Sequence, residues 1–335
     1  MVYCPRILLP CILPYYERRE TMYRPEIKTF DCTIRDGGLC NNHQFSHDLV
    51  RRIFQALKLA NVDYMEIGYF SSKKQFSPEK FGAWKFCAEE DIRAVAEPCD
   101  TKISVMVDLG RVELDDIRPR TESIVNTMRV ACYVKDVDKA IALANHIKEK
   151  GYETFVNIMA VSHALEPDLD EALRQLADTG LDGVYLVDSF GYLYCEQARY
   201  LVNKYQTLCK GKKIGVHMHN NQQLAFANTV EGIIQGVNYL DCTIYGMGRG
   251  AGNCPTELLL GFLKNPKFNI RPILDLISSD FLSMMEKHKW GYQIPYMVCG
   301  ILNQHPRQAM AQMDGENWTE FTKFYEASLK DEDLI

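Results

Sequence analysis

Short apolar runs alternate with amphipathic ones along most of this chain, and the alternation sets the first expectations. The apolar runs cover 28–34, 64–70, 103–109, 123–134, 154–161, 183–190, 213–219 and 239–245, each of a length that suits a strand buried on both faces. Between them the apolar positions recur at helical spacing. Ser46 opens one such stretch as an N-cap, and Leu49, Ile53, Ala56, Leu57 and Ala60 form its stripe. Further helices are expected over 137–148, 169–177, 195–208, 222–234 and 255–263. The link through 81–88 is less regular, and the one after Leu109 is very short. Eight strand–helix units of about thirty residues predict an α/β fold, a (β/α)8 barrel.

An open doubly wound sheet would show the same alternation, so the placement of polar residues decides between the two. Arg35, Asp36, Glu66, Asn157, Asp188, Ser189, His217 and His219 all fall within or at the C-terminal ends of the strands, the face where barrels carry chemistry. A dinucleotide fold would instead place a glycine-rich phosphate turn after its first strand, and Asp36-Gly37-Gly38 is not one. The barrel is therefore expected over 22–265. Beyond it, helical patterns at 272–287, 297–303, 305–313 and 318–329 predict a small C-terminal helical appendage over 266–335 that covers the barrel mouth. Residues 1–21 fit neither part. Their run 7–14 is apolar and holds two prolines, but a basic leader and a cleavage site are lacking, so Met22 reads as the natural start or 1–21 as a loosely held arm.

Composition narrows the function classes. The 335 residues are 47% hydrophobic with a formal charge of −6, and no dense basic block argues for nucleic acid. No apolar stretch has the length of a membrane span. Twelve cysteines are scattered singly without a CxxC pair, which points to reduced thiols in a cytoplasmic protein.

The chemistry gathers at the strand ends. His217 and His219 lie two apart on one strand and so share a face. With Asp36 from the opposite end of the barrel sequence they form a carboxylate and two imidazoles, a donor set for Mn²⁺, Mg²⁺, Co²⁺, Fe²⁺ or Zn²⁺, and Mn²⁺ or Mg²⁺ is the expected cofactor. Such an ion is a Lewis acid for a carbonyl. Arg35 offers a fork of donors to an enolate or carboxylate oxygen, and Glu66 is placed to hold it. Asn157, Asp188 and Ser189 are candidate pocket residues. The glycine-rich run 245–253 brings Gly248 and Gly250 close to a ligand, with Asn253 as a fourth metal ligand or an orienting residue.

Asp31-x-Thr33-x-Arg35-Asp36-Gly37, Glu66-Ile67-Gly68, His217-x-His219-Asn220-Asn221 and Gly246-x-Gly248-Arg249-Gly250-Ala251-Gly252-Asn253 resemble, in this order, the signature set of the DRE-TIM metallolyases. The resemblance spans about residues 28–265. It implies a metal held by the Asp and both His, an enolate-stabilising Arg and a Glu behind it. The run after the eighth strand lacks the Glu-Arg pair of the Claisen-type synthases. Together with the short appendage, this is similar to the 4-hydroxy-2-oxovalerate aldolase branch, whose appendage contributes a tyrosine, here Tyr296 or Tyr292. One departure stands out. Those aldolases carry a catalytic His three residues after the metal Asp, and this chain has Leu39. His43, Tyr296 or a water is then expected to move the proton.

The resemblance implies a divalent-metal-dependent carbon–carbon lyase of the aldolase type, acting on a 2-oxo acid through a pyruvate-type enolate. It also implies a homo-oligomer, with a dehydrogenase as a further partner to consider. Two other readings stay open: an acyl-CoA-dependent condensing enzyme on the same scaffold, and a non-catalytic metal-binding barrel that partners a dehydrogenase.

Overall fold

The computed structural model describes residues 24–330, so the expectations for 1–21 lie outside the described residues. Eight parallel strands close into a barrel in sequence order: β1 Lys28–Asp31, β2 Tyr64–Tyr69, β3 Lys102–Asp108, β4 Val125–Cys132, β5 Glu153–Ile158, β6 Gly183–Asp188, β7 Lys213–Met218 and β8 Tyr239–Cys242. Helices α1 Thr33–Gly37, α2 His47–Leu59, α3 Glu89–Val95, α4 Val137–Glu149, α5 Glu166–Ala177, α6 Cys195–Leu208, α7 Ala225–Gln235 and α8 Thr256–Leu263 follow the strands. The appendage contains α9 Arg271–Leu276, a π-helical turn Ile277–Phe281, α10 Leu282–His288, α11 Ile294–Ile301, α12 Arg307–Asp314 and α13 Phe321–Ser328. Among the described residues no helix is long and apolar enough to cross a membrane.

Local chemistry explains these elements. The Ser46 hydroxyl accepts from the Leu49 amide (3.2 Å) at the head of α2, and Val50, Ile53, Phe54, Ala56 and Leu57 are buried along one side. Each of the larger ones, Val50, Ile53, Phe54 and Leu57, is worth roughly 1.5–3 kcal/mol when removed from water. Outward-facing strand residues such as Met65, Ile67, Val105, Val107, Val156 and Val216 join the same apolar layer.

The chain departs from a regular barrel in two places. The first strand is shorter than the expected 28–34, so Arg35 and Asp36 stand on the one-turn helix α1 rather than on the strand. Asp31 causes the change: its carboxylate accepts from the Thr33 amide (3.1 Å) and the Thr256 hydroxyl (2.8 Å), turning the chain at once. Between β3 and β4 the short connection is built of two 3-10 turns, Leu114–Asp116 and Arg120–Glu122, with no α-helix.

Inside the barrel the period of two stacks layers. Phe30, Tyr64, Phe155, Tyr185 and Tyr239 form an aromatic floor, with Phe30 stacked on Tyr64 at 3.9 Å between ring centroids. Gly215 makes room for this floor, because a Cβ there would lie 2.4 Å from the Tyr185 ring. Two residues further along β2, β5, β7 and β8 come Glu66, Asn157, His217 and Asp241, one layer nearer the C-terminal ends.

The appendage is tied to that same end. Asn221, just after β7, donates to the Tyr296 carbonyl (3.0 Å). Ser162, just after β5, donates to the Asn303 side chain (2.7 Å). The Trp290 indole donates to the Tyr245 carbonyl (3.0 Å) after β8.

Candidate metal centre

The Asp36, His217 and His219 side chains converge, with one donor atom from each within 4.8 Å of the others. Asp36 Oδ2 lies 3.2 Å from His217 Nε2 and 3.9 Å from His219 Nε2. The two imidazole rings stand 5.1 Å apart. His219 falls one residue beyond β7, and a backbone bridge to Asn253 fixes it there. Asn253 Nδ2 donates to Asp36 Oδ2 (2.7 Å) and faces His217 Nε2 (3.0 Å). Its Oδ1 points toward Gly248, where an added Cβ would lie 1.8 Å away. Gly248 thus leaves space for this amide.

Electrostatics hold the donors in usable states. Burial alone would raise Asp36, but Arg35, His219 and His217 outweigh it and keep the carboxyl well below its usual range. His219 is pushed well below its ordinary value, mainly by burial and then by His217, Arg249 and Arg35, with only Asp36 opposing. Its imidazole is therefore held neutral, the state a metal ligand requires. Burial would also lower His217, yet its hydrogen bonds to Asp241 and Asp36 reverse this and raise it. Asp241 Oδ2 lies 2.9 Å from Nδ1 and orients the ring, so Nε2 is the position at which a cation would displace a proton. Asp36 Oδ1 is buried without a hydrogen bond, with the Arg35 Nη1 at 3.4 Å as its ion-pair partner. A carboxylate oxygen with open acceptor capacity beside a neutral imidazole fits a divalent cation. A second grouping, Cys32 with His217 and Asp241, fits less well. Burial holds the Cys32 thiol well above its usual value, and the Arg129 guanidinium donates to its Sγ (3.2 Å).

A closed ring of charge surrounds the centre. Arg35 Nε donates to Glu66 Oε2 (2.7 Å). Glu66 also takes Arg129 as a fork, Nε to Oε1 at 2.8 Å and Nη2 to Oε2 at 2.5 Å. Arg129 Nη1 then donates to both oxygens of Asp241 at 2.9 Å, and Asp241 leads back to His217. Arg129 is fully buried, its guanidinium 4.6 Å from the centroids of both Phe30 and Tyr185. Neither Arg129 nor Asp241 figured among the sequence candidates. The signal was present: each is a charged residue inside an otherwise apolar strand, and such a charge needs a partner across the barrel.

The other sequence candidates fall in different places. A cavity of about 70 Å³ at the cluster is walled by Arg35, Asp36, Leu39, Tyr69, Asn157, Ser189, His217, His219 and Arg249, among others. Asn157 Oδ1 is buried there without a partner. The Ser189 hydroxyl accepts from the Ala160 amide (2.9 Å). Asp188 is not among these walls: its carboxylate is occupied by the amides of Tyr192 (3.0 Å) and Leu193 (3.1 Å) and braces the loop into α6. His43 is not among them either. It lies against Gly38 and edge-on to Tyr69 (5.3 Å), and burial, then Lys85 and Arg35, push it down to about 3. Tyr296 packs in the appendage against Ala251, Val298 and Cys299, with its ring over Gly250, and burial pushes its phenol up to about 12. Tyr292 is exposed. Tyr69, absent from the sequence candidates, walls the cavity with a phenol that burial, and next Asp108, hold above its usual value.

A closed parallel barrel with a carboxylate and two imidazoles at the C-terminal end of its strands is the architecture of a metallolyase barrel. The chain belongs to the HMGL-like family, whose match covers residues 26–279, and so to the DRE-TIM metallolyase superfamily. It is 31% identical over 251 residues to a 4-hydroxy-2-oxovalerate aldolase of Thermus thermophilus, covering 73% of this chain and 72% of that one. An oxaloacetate decarboxylase of Mycobacterium tuberculosis is 31% identical over 263 residues, 75% of each chain. Among solved structures, the N-terminal domain of a putative aldolase from Bacteroides vulgatus superposes with a TM-score of 0.76 at 27% identity, over 89% of this chain and 99% of that one.

Proposed function

We propose that the protein is a divalent-metal-dependent carbon–carbon lyase, an aldolase that cleaves or forms a 4-hydroxy-2-oxo acid through a pyruvate-type enolate. The observation that carries this reading is the convergence of Asp36, His217 and His219 beside Arg35 in one cavity. These three residues would hold the ion, Mn²⁺ or Mg²⁺, with Asn253 as a further ligand through Oδ1 or as the residue that orients Asp36 and His217. The bound ion supplies Lewis acidity toward the 2-oxo group.

The chain's own residues do the rest. Glu66 fixes the Arg35 guanidinium, so its remaining N–H groups are aimed before substrate arrives and stabilise the enolate oxygen at little reorganisation cost. As the bond between C3 and C4 breaks, its electron pair goes to C3, the C4 hydroxyl loses its proton and an aldehyde leaves. C3 then takes up a proton and the 2-oxo acid is released. Leu39 occupies the cavity wall where the resemblance implies a histidine, and His43 and Tyr296 lie outside that wall. Tyr69 and Asp108 are on it, and we assign them the proton transfer. The relatives support this reading, since aldol cleavage of a 4-hydroxy-2-oxo acid and decarboxylation of oxaloacetate both pass through the same three-carbon enolate.

The test is deuteration of the pyruvate methyl group in D₂O by the Mn²⁺-loaded protein, followed by NMR. Exchange is expected with wild type and should fall at least a hundredfold in Asp36→Asn, alongside loss of Mn²⁺ binding. Absence of exchange with Mn²⁺, Mg²⁺, Co²⁺ and Zn²⁺ alike would sink the reading, and release of free thiol from acetyl-CoA with a 2-oxo acid would replace it with the condensing enzyme.

A further inference from the structure

A second cavity of about 520 Å³ adjoins the first and shares Leu39, Tyr69, Asp108, Ala131, Met159 and Arg249 with it. Its walls carry four cations, Lys85, Arg111, Arg249 and Arg307, against two acids. Both acids already have partners: Asp108 pairs with Arg111 (3.0 Å) and Asp136 with Lys139 (2.8 Å). Among the described residues no carboxylate lies within 4 Å of Lys85, Arg249 or Arg307. His305, held down to about 3 by burial and then by Arg249 and Arg307, adds no charge.

Lys85 is the unusual member. It is only 4% exposed, and its Nζ sits 4.2 Å from the Tyr69 ring centroid and 4.3 Å from that of Phe76. Two aromatic faces, and Asp108 at longer range, partly offset the lost hydration of an ammonium, but a buried cation with no carboxylate within 4 Å is costly and is retained where a ligand completes it. Arg249, half-buried, likewise has no carboxylate within 4 Å. Its Nη2 donates to the Ser189 carbonyl (3.1 Å), while its Nε is buried without a partner at the boundary of the two cavities.

We infer that this vestibule binds a second anionic group at the far end of the substrate. Resting on the lyase reading above, this narrows the substrate class to a 2-oxo acid whose leaving aldehyde carries a carboxylate or a phosphate. The 2-oxo end lies at the metal centre and the distal anion at Lys85 and Arg249, with Arg307 at the rim. A neutral aldehyde would leave these cations unanswered. Charge therefore acts as the specificity filter, because a site built around a buried charge rejects the analogue that lacks its partner.

Calorimetric titration of the Mn²⁺-loaded full chain tests this independently of turnover. The probes are 2-oxoglutarate against 2-oxopentanoate, 2-oxoadipate against 2-oxohexanoate, and a phosphate-terminated 2-oxo acid. In at least one pair the dianion should bind tenfold or more tightly than the uncharged-tail acid of equal length. The stronger of the carboxylate and phosphate probes then identifies the anion. That preference should fall below threefold in Lys85→Met and about halve in Arg307→Gln, whose exposed site leaves the fold undisturbed. Equal affinities for all anionic and uncharged tails in wild type, or a preference that survives in both variants, would overturn the inference. A protein that discriminates but does not deuterate pyruvate removes the lyase reading and keeps the anion site. One that deuterates without discriminating removes the anion site alone.

Discussion

The two cavities at the barrel mouth treat charge in opposite ways. Behind the metal ligands the guanidinium groups are answered by carboxylates: Arg35 and Arg129 share Glu66, and Arg129 also holds Asp241. In the vestibule, among the described residues, Lys85, Arg249 and Arg307 have none. The inner charges complete one another and keep the site rigid before any ligand arrives. The outer ones are left for a ligand to complete. Preorganisation suits the place where bonds change, whereas unanswered charge suits selection.

Breaking the inner ring should have the largest effect. Arg129→Leu takes one of the two cations from buried Glu66 and leaves buried Asp241 with His217 alone as its close partner, and a loss of about 3–5 kcal/mol is expected in urea denaturation, as for other severed buried pairs. A loss under 1 kcal/mol would mean that the ring contributes nothing to the fold.

Asp31 sharpens the comparison, as a buried carboxylate that has hydroxyl and amide partners but no cation. Burial pushes it up to about 6, while Glu66, despite equal burial, is drawn below its usual value by Arg129 and Arg35. The folded protein therefore holds a proton on Asp31 that the unfolded chain, with a value near 3.8, releases earlier. This contribution to stability is complete below about pH 4 and is lost as pH rises through 6. Asp31→Asn removes the titration, so the stability of wild type relative to the variant should fall by up to about 3 kcal/mol between pH 4 and 7. Urea midpoints for both proteins across that range decide it, and parallel curves would contradict the assigned environment.

The smallest effect is expected in the vestibule and with the opposite sign. Lys85→Met removes an ammonium that burial disfavours and keeps the apolar stem, so stability should hold or rise by about 1 kcal/mol. A loss of 2 kcal/mol or more would show that Lys85 has a structural partner.

How much of this was legible in the chain depends on the range of the signal. Short apolar runs placed the eight strands, and the Ser46 cap with its apolar stripe placed α2, because both depend on neighbours in sequence. Asp36, His217 and His219 were legible for a further reason: metal chemistry restricts the residue types, and a barrel brings its strand ends together. Arg35 and Asp36 were set on a strand because the hydrogen bonds of Asp31 to Thr33 and Thr256 cannot be seen in an apolar run. His43 and Tyr296 were chosen for what their side chains can do, and burial decided where those side chains lie.

The sequence by itself determined the barrel and the donor types, since side-chain alternation and ligand chemistry act within a few residues or through a family pattern. Only the tertiary structure decided which charges are paired. Arg129 meets Glu66, 63 positions away, and Asp241, 112 positions away, at the centre of a closed barrel. Lys85 meets two aromatic rings and no carboxylate. Electrostatic partnership depends on distance and burial in space, and neither is written in the order of the residues.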